Sequence, residues 1–262
     1  MKIAIIIPTL NEAQNIALMI DVIMQQVFPK VPEIEMHLLV VDDCSPDGTA
    51  EIVEAKRNAY RNLHLLKGKR QGLGNACIMG MKYAQTSLQT DAIVEMDGDF
   101  QHMPSDILRL VDIFLQGADV VIGSRYIGGS IISTSWPAYR RAISQIGNTV
   151  LRFILGVDLP RDITSGLKLT RVHGVLDGID LNNIWLKKRF AYKIVLLHHL
   201  TKQTCHIVEI PIQFNARRRG DTKFRLFEIL ATIGLVIRLK FGDFVKSPIS
   251  ALRFILRHCG VP

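Results

Sequence analysis

Ile3-Ala4-Ile5-Ile6-Ile7-Pro8-Thr9-Leu10-Asn11-Glu12 opens the chain with an unbroken apolar run, halts it at a proline, and follows it with polar residues that suit a helix start. The run is too short for a bilayer-crossing helix and reads as a buried strand. The same unit recurs downstream. Further strands are predicted at His37 to Asp42, Leu63 to Leu66, Ala92 to Met96 and Val120 to Gly123. Amphipathic helical patterns fall between them, near Glu12 to Gln26, Thr49 to Tyr60, Leu73 to Gln85 and Pro104 to Leu115, with Pro104 at a first helical position. Strand–helix alternation with short connections predicts an α/β fold built on a parallel, doubly wound sheet. Such sheets bind ligands at the carboxyl ends of their strands, so the informative residues should follow each strand.

Beyond residue 125 the pattern changes. A Gly/Ser-rich loop covers Tyr126 to Ser135, a long helix is predicted over Pro137 to Leu155, and a last strand pair over Ile163 to Leu169 and His206 to Ile210. After Lys223 two short helical patterns, separated by Asp243 to Pro248, read as an appendage rather than a second domain. No internal repeat or low-complexity segment is found.

Composition narrows the classes. The 262 residues have room for one large domain with an appendage. Hydrophobic content is 48% and mean hydropathy +0.21. Even so, the best apolar stretch, Ile229 to Ile237, is uncharged for only nine positions, against the roughly 18 to 20 a spanning helix needs. The start of the chain shows no signal-peptide pattern. Cys44, Cys77, Cys205 and Cys259 are scattered without a Cys-x-x-Cys pair, which argues against structural zinc and for reduced thiols in a cytosolic compartment. From Arg217 onward ten basic residues oppose three acidic ones, so that tail carries +7 of the chain's net +8. A basic surface so localised suits phosphate-bearing partners.

The strongest chemical signal is Met96-Asp97-Gly98-Asp99-Phe100-Gln101-His102, directly after an apolar strand. Two carboxylates bracketing a glycine offer hard oxygen ligands to a divalent cation, whose shell substrate phosphates can complete. Taken alone, the same residues also describe a solvated acidic turn. Val41-Asp42-Asp43-Cys44-Ser45-Pro46-Asp47-Gly48-Thr49 follows the second strand. Asp47 and Thr49 suit helix capping, whereas the Asp42-Asp43 doublet suits hydrogen bonds to a base or ribose.

In order and spacing, Pro8-Thr9-Leu10-Asn11-Glu12, Val41-Asp42-Asp43, Gly72-Leu73-Gly74-Asn75-Ala76 and the Asp97/Asp99 turn resemble family 2 glycosyltransferases, specifically the dolichol-phosphate mannose synthase branch. The likeness continues through Gly123-Ser124-Arg125-Tyr126, Trp136-Pro137 with Arg140, Arg141 and Ser144, and Asp162-Ile163-Thr164-Ser165-Gly166. It ends at Pro211-Ile212 with Phe214, Arg217, Gly220, Thr222 and Lys223, and so covers about residues 3 to 223.

The resemblance implies a GT-A type catalytic domain over 1–223 and a basic, amphipathic, membrane-facing tail over 224–262. It implies that Pro8, Glu12 and Asp43 line the nucleoside pocket and that Asp97 lies near ribose and metal. Asp99 and Gln101 would then ligate Mg²⁺ or Mn²⁺. Arg125, Arg140 and Ser144 would meet the acceptor phosphate, and Arg217 and Lys223 would hold phosphate charge. The implied activity is inverting transfer of a sugar, mannose from GDP-mannose, to polyprenyl or dolichyl phosphate on the cytoplasmic face of a membrane. Gln101-His102 favours mannose over the runner-up, glucose from UDP-glucose.

Two positions depart from the branch. A helix reading Gly-Tyr-x-Phe-Gln-x-Glu in many relatives here reads Arg189-Phe190-Ala191-Tyr192-Lys193-Ile194-Val195, and Leu10 stands where Tyr is frequent. The first departure keeps a non-catalytic nucleotide-binding subunit on the same fold as an alternative. A nicotinamide dehydrogenase, prompted by Gly72-Leu73-Gly74, fails because Cys77 stands at the third glycine. Arg217-Arg218-Arg219 lacks the aromatic-studded groove expected for nucleic acid, and His198-His199 lacks metal-ligand spacing. Some relatives carry transmembrane helices after a stretch like Ser247-Pro248. This sequence ends about there, which leaves open a truncation, a peripheral form, or a subunit held by a small membrane partner.

Overall fold

The structure, a computed structural model, describes residues 1–133, 138–155, 160–184, 191–203 and 205–218. The opening run forms β1 (Lys2–Thr9), an interior strand of a seven-stranded sheet. It leads through α1 (Ala13–Val22) to β2 (Glu35–Asp42), through α2 (Thr49–Arg57) to β3 (Leu63–Lys67), and through α3 (Leu73–Tyr83) to β4 (Ala92–Glu95). α4 (Asp106–Leu115) and β5 (Val120–Ser124) follow, then β6 (Ile131–Ile132), α5 (Ala138–Leu155), β7 (Lys168–Arg171), α6 (Tyr192–Thr201), β8 (Ile207–Pro211) and β9 (Gln213–Phe214).

Sheet order is β3-β2-β1-β4-β7-β5-β8. The first four strands run parallel, with Ile5 of β1 opposite Leu38 of β2 and Val94 of β4. Alternation along β1 sends Ile3, Ile5 and Ile7 into one core with α1 and α4, and Ala4 and Ile6 into the other with α3 and α6. Both faces are dry, which is why the strand reads as a continuous apolar run. At Gly80 a Cβ would stand 2.7 Å from Ile6 Cγ2, so α3 lies directly on β1 only because that residue has no side chain.

The expectation of an all-parallel sheet is corrected: the sheet is mixed. β7 lies antiparallel between β4 and β5, and β8 pairs with β5 in parallel. The expected pairing of 163–169 with 206–210 is likewise absent, because β5 separates β7 from β8. The cause is where the chain re-enters. Asp162 is bonded to Arg125 at the carboxyl end of β5, so β7 starts from that edge and must run backwards. Residues 163–167 turn there, and the strand begins only at Lys168. Pro104 precedes α4 by a turn rather than opening it, and the loop after Tyr126 contains the short strand β6, which pairs with β9.

Neighbours β1 and β4 mark the point where strand order reverses, the usual ligand crevice of an open α/β sheet. No described helix is long and apolar enough to cross a membrane. The tail 224–262 and its boundary at residue 223 lie outside the described residues.

Candidate active site

The carboxyl edge of the sheet carries unusual backbone. Asn11 after β1, Cys44 after β2, Arg70 after β3 and Phe100 after β4 all adopt positive φ, between 54° and 63°. Non-glycine residues rarely do so, and a bulky one such as Phe100 is an outlier that surrounding contacts must hold. Those contacts exist. The turn after β2 caps α1 from outside: Asn11 N–H donates to Ser45 Oγ, Glu12 N–H to Thr49 Oγ1 and Ala13 N–H to Asp47 Oδ2, at 2.9 to 3.0 Å. Asp42 accepts from Thr9 Oγ1 and Ser45 N–H. After β4, Asn215 N–H donates to Gln101 O and Arg218 N–H to Asp99 O, locking the segment after β9 onto the acidic turn.

Among the described residues, five charged side chains, Glu12, Asp97, Asp99, Lys193 and Arg217, converge at the β1/β4 crevice. Arg217 places Nη1 2.9 Å from Glu12 Oε1 and Nη2 3.0 Å from Asp99 Oδ2. Glu12 is steadied by Asn15, whose Nδ2 donates to its second oxygen at 2.9 Å. Asp97 sits beside them, 31% exposed at its side chain, with Lys193 Nζ 3.4 Å from Oδ1 and His102 Nε2 3.9 Å from Oδ2. Burial would raise the Asp97 carboxyl, yet Lys193, His102 and Arg217 hold it below its ordinary value. Asp99 goes the other way. Burial and the neighbouring Asp97 charge push it up to about 6 against the pull of Arg217. Burial presses His102 down to about 4, so its ring is neutral near pH 7.

A second polar group lies under the end of β5. Asp162, buried, accepts Arg125 Nε and Nη2 at 2.7 Å each and the Arg125 backbone N–H at 3.0 Å. Burial opposes its charge, but the Arg125 guanidinium keeps the carboxyl below the usual range. The guanidinium also lies 5.1 Å from the ring centres of Tyr126 and Phe214. Tyr126 Oη meets Ser144 Oγ at 2.6 Å, and Asn148 ties α5 to the same turn through Thr164 Oγ1 and Ile163 N–H.

Sequence comparison decides what this arrangement belongs to. The profile of glycosyl transferase family 2 matches residues 4–173. The chain belongs to that family. Among its relatives, the polyprenol monophosphomannose synthase of Mycolicibacterium smegmatis is 36% identical over 221 residues, covering 84% of this chain and 79% of the relative. The dolichol-phosphate mannosyltransferase of Pyrococcus furiosus is 32% identical over 269 residues, covering 99% and 71%. The solved glucosyl-3-phosphoglycerate synthase of Mycobacterium tuberculosis, in complex with Mn²⁺, UDP and phosphoglyceric acid, overlays with a TM-score of 0.58 at 19% identity, covering all of this chain and 79% of that one. That likeness is one of fold.

Of the residues singled out in this glycosyltransferase, the structure brings together Glu12, Asp97, Asp99 and Arg217. Pro8 lies near the carboxyl end of β1 and Gln101 in the loop after β4, beside them. Asp43 is buried, and its two oxygens accept the backbone N–H groups of Gln71 and Gly72 at 2.8 and 2.7 Å, so it fixes the loop before α3. Arg125, expected at the acceptor phosphate, has its guanidinium paired with Asp162 in this structure. Ser144 stands on α5, hydrogen-bonded to Tyr126. The Arg140 side chain and Lys223 lie outside the described residues.

Sequence reasoning missed the carboxylate partner of Arg125, although Asp162 stands inside a quoted motif. It also missed the place of Lys193, noted only as a departure, and the reason for Gly166. A Cβ at Gly166 would fall 2.3 Å from Asp97 Oδ2 and 2.7 Å from His102 Nε2.

The site fits a divalent cation as a partial cage. Asp99 and Asp97 are oxygen donors whose mutual repulsion a cation relieves, as the raised Asp99 value records. Among the described residues no three His, Cys, Asp or Glu side chains converge to hold a metal. The remaining ligands must come from elsewhere, and substrate phosphates are the usual source.

Proposed function

We propose that this enzyme transfers a sugar, mannose from GDP-mannose, to polyprenyl or dolichyl phosphate with inversion at the anomeric carbon, on the cytoplasmic face of a membrane. The observation that carries it is the Glu12–Arg217–Asp99 bridge beside Asp97, at the strand-order reversal of a family 2 chain. Two relatives named for polyprenol or dolichol-phosphate mannose transfer align over most of its length.

Pro8, Glu12 and the Asp43-braced loop form the nucleoside side of the crevice. Asp99 and Gln101, with Asp97 adjacent, would hold Mg²⁺ or Mn²⁺, which neutralises charge on the departing diphosphate. Arg217 is 19% exposed and, among the described residues, is held at its tip by Glu12 and Asp99, so it can turn from carboxylates to phosphate. Lys223, outside the described residues, is assigned the same task of holding phosphate charge. Arg140 and Ser144, with Arg125 and Asp162 bracing the turn behind them, receive the acceptor. A phosphate monoester has a second pKa of about 6 and is already largely dianionic at pH 7, so it needs alignment and charge relief more than a general base.

The acceptor side faces an apolar surface. On α5, Tyr139, Ile143, Ile146, Val150 and Phe153 are exposed at helical spacing, while Ser144, Asn148 and Leu151 face inward. A stripe of that kind beside the acceptor residues suits the bilayer interface, where a lipid phosphate must be met.

The test incubates purified protein with radiolabelled GDP-mannose or UDP-glucose, Mg²⁺ or Mn²⁺, and a short polyprenyl phosphate. Lipid-extractable label from GDP-mannose is expected. Asp99→Ala should abolish it, and near-normal turnover in that variant would refute the assigned role. Label from UDP-glucose alone would replace mannose by glucose.

A further inference from the structure

β4 and the residue beyond it send two carboxylates toward α6, and each meets a lysine. Glu95 lies 2.7 Å from Lys168 Nζ and accepts the Tyr192 hydroxyl at 2.9 Å. Two residues on, Asp97 meets Lys193, the neighbour of Tyr192 in α6. Among the described residues, Arg217 and Lys193 pair with the acidic turn, and they differ in freedom. Arg217 comes from a loop and is 19% exposed. Lys193 is 4% exposed, starts from the first turn of a helix most of whose apolar side chains pack into the core, and is roofed by the Gly166 turn, where a Cβ would be 3.1 Å from its Nζ. Arg217 has solvent beside it into which it can swing to a phosphate; Lys193 is enclosed beside Asp97.

Charge follows from that difference. In these contacts among the described residues, Glu12, Asp97 and Asp99 supply three negative charges, and Arg217 and Lys193 two positive ones. When Arg217 departs, Lys193 still offsets one of the carboxylates offered to a cation. A partial cage already short of ligands is thereby further weakened toward a free ion. A nucleoside diphosphate restores the balance by bringing both oxygen ligands and negative charge.

We propose that Lys193 is a fixed counter-cation of the Asp97/Asp99 turn, a positioning residue that prevents the turn from holding a divalent ion alone, so that the ion is retained only together with a nucleoside diphosphate. The inference rests on the transferase reading above and deepens it.

Mn²⁺ binding to the full chain, followed by electron paramagnetic resonance, tests it without any turnover. Wild-type protein should bind Mn²⁺ at least about 100-fold more weakly alone than with saturating GDP, as expected when the diphosphate supplies most of the ligands. Lys193→Gln and Lys193→Met should bind Mn²⁺ alone at least about tenfold more tightly than wild type, the effect of removing one nearby unit charge even at water-like screening. Lys193→Arg, which keeps the charge, should stay near wild type. Unchanged free-Mn²⁺ affinity in folded Gln and Met variants overturns the inference. So does wild-type protein that binds Mn²⁺ equally with and without GDP, a comparison that stands even if the variants fail to fold. Wild-type protein that takes up no Mn²⁺, whether alone or with GDP or UDP, would overturn the transferase reading itself, and this inference with it.

Discussion

Gly166→Ala adds one methyl group at the most crowded point of the site. Its carbon would lie 2.3 Å from Asp97 Oδ2, 2.7 Å from His102 Nε2 and 3.1 Å from Lys193 Nζ. Comfortable contact needs roughly 3.5 Å, so the Asp97 carboxylate must retreat by about 1 Å or the turn must rise by as much. His102 cannot yield instead, because its buried ring packs edge-on against Phe214, 5.0 Å between centres. Overpacking of this kind costs about 1–3 kcal/mol of stability. A displacement of about 1 Å in a positioned catalytic group costs about 100-fold in rate. The backbone at Gly166 has no positive φ, so alanine is tolerated there in every respect but space. Gly147→Ala is the matched control: nothing lies within 4 Å of its added carbon, and α5 should gain about 1 kcal/mol from the better helix former. Urea unfolding measures the stability terms, and initial rates of label transfer from GDP-mannose to a short polyprenyl phosphate measure kcat. Gly166→Ala should lose about 100-fold in kcat. A folded variant with kcat within about twofold of wild type refutes the claim that this turn sets the position of Asp97.

Other expectations follow from the same contacts. Asp162→Asn leaves the buried Arg125 charge without its carboxylate and should destabilise the fold by about 3–5 kcal/mol in urea titrations; a loss under 1 kcal/mol would mean water reaches Arg125. His102, lowered by burial to about 4, binds its proton less readily folded than unfolded, so its contribution is present above pH 6.5 and lost as pH falls toward 4. Between pH 7 and pH 5 wild type should therefore lose about 2 kcal/mol more than His102→Gln, since Asp99 and the other carboxylates act in both proteins; equal losses would place the ring in water. Phe153→Ser together with Ile146→Ser should weaken flotation with anionic liposomes while leaving GDP binding unchanged, and unchanged flotation would detach α5 from the membrane.

Some of this was legible along the chain because the physics is local. β1, β2 and β4 are buried on both faces, so their residues must be apolar in sequence, and the Asp97/Asp99 turn lies within five residues of its strand. Sheet order at the far edge was not legible. β7 reads Lys168-Leu169-Thr170-Arg171, a short mixed segment whose buried Lys168 is tolerable only because Glu95 stands opposite, and no window of sequence contains both.

By itself the sequence determined the α/β class and the family, and it pointed to the acidic turn after β4, since strand burial and turn chemistry are written in neighbouring residues. Only the tertiary structure decided the partners. Arg217 reaches Glu12 across 205 positions and Lys193 reaches Asp97 across 96, while Arg125 is claimed by Asp162. Charge pairing depends on distance in space, falling off within a few ångströms, and the chain's order carries no record of that distance until the sheet brings its strand ends together.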